Sequence, residues 1–346
     1  MKSGKVVDCF IFNDEIGLLE LRIKYLSHSV DEFIIFESRK TFSGKSKPLY
    51  ARNHRDQLQR LSNTQITFWE ARIDNMDEGE FSERWPIEFE TRRQFLERII
   101  SERPHDRIIF GDVDEIPSIH QVEVIRDLCS AQDVSVYGIN MPNYYKYVNW
   151  YVQGVGERMN APKTFVGCLP PPMEFLRTLD FFEDIQGVGA HLSYLGMSTH
   201  QVNKKFGEFS HREYSGHEKI EDYIQRTQDR FAIDHIGRYF FEERGLIKIV
   251  KFEDLPEPAR FVRTQFPSYF KDIALPSKFQ RLIASATVTL LRRYMMSNQK
   301  RALNILLHAD GNLKVFSSVF FHYFKVKAIC LVVADISKQN RVSIRG

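Results

Sequence analysis

Cysteine is scarce, and its four copies, Cys9, Cys129, Cys168 and Cys330, stand far apart in a chain of 346 residues. No two have the close spacing that a zinc site or a dithiol redox motif needs, so both are excluded and the thiols read as reduced and mostly buried. An excess of one charge is missing as well: 48 Lys and Arg against 45 Asp and Glu leave a formal net charge of +3. So small a balance exerts no general pull on nucleic acid, and no nucleic acid is expected as a partner. Val315 to Val333 is apolar but broken by His322, Lys325 and Lys327, which fails the test of roughly 18 uninterrupted apolar residues for a membrane span. Met1 to Lys5 leads straight into Val6 to Phe12, too short and too promptly polar afterwards for a signal peptide, so those residues read as a buried strand. The expected compartment is reducing, with the chain cytoplasmic or peripheral to a membrane. Internal repeats and low-complexity tracts are also lacking.

What is present is an ordinary globular composition, 43% hydrophobic and 27% charged. The first part alternates short apolar runs with helical patterns, the pattern of an α/β fold with a mixed, mainly parallel sheet covered by helices. Val6 to Phe12, Phe33 to Phe36, Ile66 to Trp69, Arg107 to Phe110 and Val134 to Met141 are the expected strands. Asn13 or Asp14 is expected to cap a helix carrying Ile16, Leu19, Ile23 and Leu26, and Ser118 a helix from Ile119 to Leu128. Ile87 to Ile100 reads as a third helix, with Phe89, Phe95, Leu96 and Ile99 on one face. Glu37 to Pro48 is a polar loop too long for a simple turn. The aromatic stretch from Tyr144 to Tyr151 suits either sugar faces or a strand hairpin packed on a core, and the core reading is preferred.

From about Lys271 the texture changes. Phe279, Leu282, Ile283, Ala286 and Leu290 share a helical face, while Lys278, Arg281, Arg292, Arg293, Lys300 and Arg301 supply a basic one. This fits a helix lying on a membrane surface, and equally a helix packed on the first domain with a solvated charged side. The expected organisation is therefore a catalytic domain over 1–270 and a helical, basic C-terminal extension over 271–346.

Chemistry concentrates in Gly111-Asp112-Val113-Asp114-Glu115-Ile116-Pro117, just past a buried strand. In open α/β sheets ligands gather at the carboxyl ends of strands. Two aspartates one residue apart can turn both carboxylates toward one hard cation, and Mg²⁺ or Mn²⁺ keeps positions open for substrate phosphates. Such an ion stabilises a departing diphosphate. The plainer reading, that these residues cap the next helix, is weakened because Ser118 is better placed to do so. A phosphatase of the haloacid dehalogenase type sets Asp-x-Asp on the first strand, whereas here that strand runs into Asn13-Asp14-Glu15. His191 and His211, each among small polar residues near Gly, could complete a metal's coordination or touch a phosphate.

These segments together resemble glycosyltransferase family 17: Asp8-Cys9-Phe10, Glu37-Ser38, Thr41-Phe42-Ser43-Gly44, Lys47-Pro48-Leu49, the acidic segment, Gly189 to Gly196, and Phe209 to Tyr214. The resemblance runs from about Lys5 to Phe270. It implies a GT-A-like nucleotide-sugar-binding domain, a UDP-sugar donor, by expectation UDP-N-acetylglucosamine, a divalent cation, and inversion to a β-linkage on an oligosaccharide or glycolipid acceptor. Metal and diphosphate contact falls to Asp112 and Asp114, with Glu115 beside them. Donor-site roles fall to Glu37, Arg93, His191 and His211, and Asp8 and Asn13 are placed with them. Arg93 has a competing account in ion pairing with Glu90 and Glu97 on its own helix. Glu213, Asp184 and Glu183 are the candidates for the base that takes the acceptor's proton. A non-catalytic carbohydrate-binding or membrane-associated scaffold with the same fold is the alternative.

Overall fold

The computed structural model describes residues 4–73, 86–128, 135–153, 163–166, 184–208, 218–233, 247–277, 280–282 and 284–289. Strand β1, Val6–Ile11, is buried at every position. Its alternate residues feed opposite faces: Val6 and Phe10 join one apolar cluster, and Val7, Cys9 and Ile11 the other. This is why its apolar residues do not alternate with polar ones, Asp8 being the single break. Helix α1, Ile16–Leu26, covers the first face with Leu19, Ile23 and Leu26. Strands β2, Glu32–Ser38, and β3, Gln65–Ala71, follow, with the short helices α2, Tyr50–Asn53, and α3, Arg55–Gln59, between them. Helix α4, Pro86–Glu102, covers the second face. There Phe95 stacks on Phe36 at 4.5 Å and meets Trp69 and Phe110 at 5.9 and 5.4 Å. Burying side chains of this size contributes about 1.5–3 kcal/mol each.

Strand β4, Arg107–Asp112, is followed by β5, Glu115–Ile116, and helix α5, Ile119–Asp127. Ser118 closes a capping box on α5, its hydroxyl taking the Gln121 N–H while the Gln121 side chain takes its own, as the sequence predicts. The expected cap on α1 is different. Neither Asn13 nor Asp14 caps it; Glu15 stands at that position with no side-chain bond, because Asn13 and Asp14 are drawn to Glu208 and Lys204 instead.

Later strands are short: β6, Ser135–Ile139; β7, Asn143–Tyr145; β8, Trp150–Val152; β9, Lys163–Val166; β10, Asp184–Ile185; β11, Ala190–Ser193; and β12, Ile247–Ile249. One sheet has the order β10-β6-β9-β4-β1-β2-β3 and a second the order β12-β8-β7-β11-β5. β1 to β4 are parallel to their neighbours in the set, so their carboxyl ends share one rim. The antiparallel strand β9 enters between β4 and β6 and is not among the strands expected from the sequence. At Gly189 an added Cβ would lie 2.6 Å from the Ile116 carbonyl oxygen, so only glycine lets the chain entering β11 approach β5 this closely.

The aromatic stretch serves packing. Tyr144, Tyr145 and Trp150 are buried, Tyr145 donates to Gln228 at 3.2 Å, and the Trp150 indole donates to the Lys271 carbonyl at 3.3 Å. Residues 1–292 form one compact unit. Within it Arg281, read from the sequence as part of a basic face, donates to the carbonyls of Phe231, Ala232 and Ile247, and 284–288 are buried in succession. Lys278, Phe279, Ile283, Leu290 and all later residues, including the rest of the basic set, lie outside the described residues. Among the described residues no helix is long and apolar enough to cross a membrane.

Candidate active site

The acidic loop leaves β4 at Asp112 and enters the second sheet at Glu115, so it is pinned at both ends. Its backbone is held from below by Arg22 of α1, a guanidinium with no exposed surface. Arg22 Nε and Nη2 donate to the two oxygens of Asp8 at 2.8 and 2.7 Å. Its Nη1 donates to the carbonyls of Asp112, Val113 and Glu115 at 2.9, 3.2 and 2.7 Å, and the group lies over the Phe10 ring. A planar fork of fixed donors suits one carboxylate and several carbonyls together. Glu115, also buried, takes the Asp112 N–H at 2.7 Å. Glu115 thus shapes the loop from inside it.

The two aspartates stand in different settings. Both oxygens of Asp112 accept from Arg92 of α4, at 3.0 and 3.2 Å, and Arg92 also pairs with Glu88. Asp114 lies with an oxygen 3.6 Å from His191 Nε2, which is itself 3.1 Å from the Ser193 hydroxyl. Burial pushes the Asp114 carboxyl up, but His191 and then Lys205 overbalance it and hold it down to about 2, so it is ionised at neutral pH. Lys205, on the Thr199–Glu208 helix, is buried in an ion pair with Glu15 at 2.8 Å and lies over the Tyr194 ring. Burial pulls its ammonium down, and Glu15 and Asp114 more than restore it.

Around this pair the end of β1 collects further charge. Lys47 donates to the Asn13 carbonyl at 3.1 Å, Asn13 donates to Glu208 at 3.2 Å, and Lys204 pairs with Asp14. Lys47 and Lys204 both lie near the Tyr50 ring, at 5.6 and 6.0 Å. Carboxylates and ammonium groups thus alternate on the rim where the carboxyl ends of β1 and β4 meet, a setting suited to a polyanionic ligand and a divalent cation together.

The family model described as glycosyltransferase family 17 matches residues 1–259. The chain belongs to that family. No curated protein matches it. Among solved structures, a lactate dehydrogenase enzyme from a Medee basin deep-sea metagenome library is similar over 85% of this chain and 99% of that one, at 9% identity and a TM-score of 0.22, too slight to inform fold or function.

Not every residue picked from the sequence of this glycosyltransferase reaches the rim's chemistry. Asp8 is fully buried with both oxygens on Arg22, so it supports the loop and does not face a ligand. Glu37 is buried too, and its oxygens take the N–H groups of Ala51 and Arg52 at the start of α2. Arg93 points outward to Glu90 and Glu97, and its neighbour Arg92 is the one that reaches Asp112. Asp184 is exposed on β10, level with Phe110 but three strands away from it, roughly 14 Å by sheet spacing. Glu213, Glu183 and His211 lie outside the described residues. Lys205, Arg92 and Arg22 escaped the sequence reading, because a Lys or Arg on a helix reads as solvated until its partners are known.

Glu37 supplies a test by pH. Burial pushes its carboxyl above the ordinary 4.5, against the opposing pull of the Ala51 and Arg52 N–H groups and of Lys47. A carboxyl that holds its proton more tightly in the folded chain than in the unfolded one makes ionisation unfavourable to the fold. Its contribution to stability therefore falls as pH rises from 4.5 through the folded value. Glu37→Gln is expected to flatten the stability curve in that window, as read by urea unfolding at closely spaced pH.

Proposed function

We propose that this family 17 chain is an inverting, divalent-metal-dependent transferase that moves N-acetylglucosamine from UDP-N-acetylglucosamine to a glycan acceptor hydroxyl, forming a β-linkage on a GT-A-like domain. The observation that carries this reading is the placing of Asp114 beside Asp112 at the carboxyl end of β4, with His191 3.6 Å from Asp114 and Arg92 bonded to Asp112. Among the described residues no three His, Cys, Asp or Glu side chains gather as a metal cage. Two carboxylates with open positions for phosphate oxygens suit Mn²⁺ or Mg²⁺, so the residues fit the ion. Asp114 would hold it, with Asp112 beside it steered by Arg92. The ion supplies neutralisation of the charge that grows on the departing diphosphate.

The chain's own residues do the rest. Lys205 offsets the charge of Asp114, Lys47 adds positive charge that draws in the diphosphate, and Arg22 keeps the loop from rearranging as it binds. Inversion needs a carboxylate to take the acceptor hydroxyl's proton. Glu213 comes first for that role, ahead of Asp184, which stands three strands from β4, and of Glu183, its neighbour in sequence. Acceptors are oligosaccharides or glycolipids, met in the cytoplasm or at a membrane surface.

A thermal-shift screen of nucleotide sugars with and without Mn²⁺ tests the proposal. UDP-N-acetylglucosamine at about 100 times its Kd should add about 2.7 kcal/mol of apparent stability, and only when Mn²⁺ is present. If no UDP-sugar binds or is hydrolysed in Mn²⁺, the reading is wrong. Glycan binding that persists without metal would mark a scaffold instead.

A further inference from the structure

The side-chain carbonyl oxygen of Asn143 is buried and has no hydrogen-bond partner among the described residues. A buried acceptor left unpaired costs free energy, and folded chains seldom retain one without a use. Its position is specific. Asn143 opens β7 level with His191 of β11, and His191 is level with Glu115 of β5. Residues level on neighbouring strands share a face, so Asn143, His191 and Glu115 form a row that ends at the acidic loop. Within that row His191 already has partners, the Ser193 hydroxyl and the Asp114 carboxylate.

We infer that Asn143 is a specificity-determining residue for the transferred sugar, its amide oxygen accepting a hydrogen bond from a hydroxyl or amide N–H of the donor's sugar unit. The inference rests on the function proposed above. An amide oxygen repels phosphate oxygens, which only accept, so it selects a part of the ligand beyond the diphosphate. The sugar is bonded directly to that diphosphate, so it is the first carbohydrate to come within reach of Asn143, two strands or roughly 10 Å along the row from the acidic loop. Binding then supplies the partner that the described residues do not, and a donor without a hydrogen-bonding group at that point leaves the oxygen stranded.

The test uses the full chain with Mn²⁺ and compares wild type with Asn143→Leu, a side chain of similar size that removes the orphaned acceptor. Thermal stability should be unchanged or higher, because the unpaired polar atom is gone, while UDP affinity stays the same. kcat/KM for UDP-N-acetylglucosamine hydrolysis should fall roughly 10- to 100-fold, and transfer with it. A merely structural asparagine would lose stability and leave hydrolysis intact, which would overturn the inference. Loss confined to transfer would assign the contact to the acceptor and overturn it too, as would loss of UDP affinity. Should the leucine variant fail to fold, Asn143→Ser carries the same comparison with the same outcomes. If wild type binds UDP but Asn143→Leu hydrolyses the sugar normally, this residue's role fails alone. If wild type binds no UDP-sugar, the proposed function fails and this with it.

Discussion

Exchanging Arg22 for methionine is expected to cost the fold about 3–5 kcal/mol and to remove turnover as well. The change strands Asp8, whose side chain has no exposed surface, as an unpaired buried charge, and that is the expensive way to break an ion pair. Against a total stability of about 5–15 kcal/mol the loss is large enough to unfold a sizeable fraction of the protein. The double variant Asp8→Leu/Arg22→Met separates two consequences. With both charges gone the pair's penalty disappears, and stability measured by urea unfolding should recover most of the way. Activity should not recover, because the carbonyls of Asp112, Val113 and Glu115 still lack their common donor. A double variant that regained turnover along with stability would show that the loop keeps its shape without the guanidinium.

Asp114→Asn is expected to reduce UDP-sugar turnover on the order of a thousandfold, and Asp112→Asn by clearly less. The metal's contribution to a departing diphosphate is worth several kcal/mol, and each 1.36 kcal/mol is about tenfold in rate. On the function proposed here Asp114 would carry that contribution, because its charge is held by His191 and Lys205 and it bonds no arginine in the described structure, whereas Asp112 already has both oxygens on Arg92. Mn²⁺ titration of each variant, followed by turnover at saturating metal, distinguishes weakened binding from weakened chemistry. Equal losses at the two positions would mean that Arg92 releases Asp112 when the ligand arrives.

The central strands were legible because burial on both faces demands apolar runs, and β1, β2 and β4 have them. The acidic segment was legible for another reason: an apolar run that stops in Gly-Asp-Val-Asp-Glu sets three carboxylates close together at a strand end, where each needs a partner. The second sheet was not, since its strands have two to four residues, too few for a period to declare itself. Support of the site was hidden for a different reason. Arg22, Arg92 and Lys205 owe their roles to partners from 14 to about 190 positions away, and a charged residue on a helix looks the same in sequence whether it meets water or a buried carboxylate. The one-residue error between Arg93 and Arg92 has the same origin. Successive residues on a helix face about 100° apart, and only tertiary packing says which of two arginines turns inward.

The strand β5 begins one residue after Asp114 and pairs with β11, which in turn pairs with β7. Asp114 and Asn143 are therefore mounted on one hydrogen-bonded frame, at a separation set by inter-strand spacing rather than by flexible side chains. A frame of that kind works as a gauge. On the function proposed here, it would measure the distance from phosphate to sugar, so a nucleotide sugar joined through a single phosphate would present the wrong atoms to Asn143 even if its base and sugar were acceptable. Length would then be a criterion of selection in its own right, set by backbone pairing and read out through Asn143.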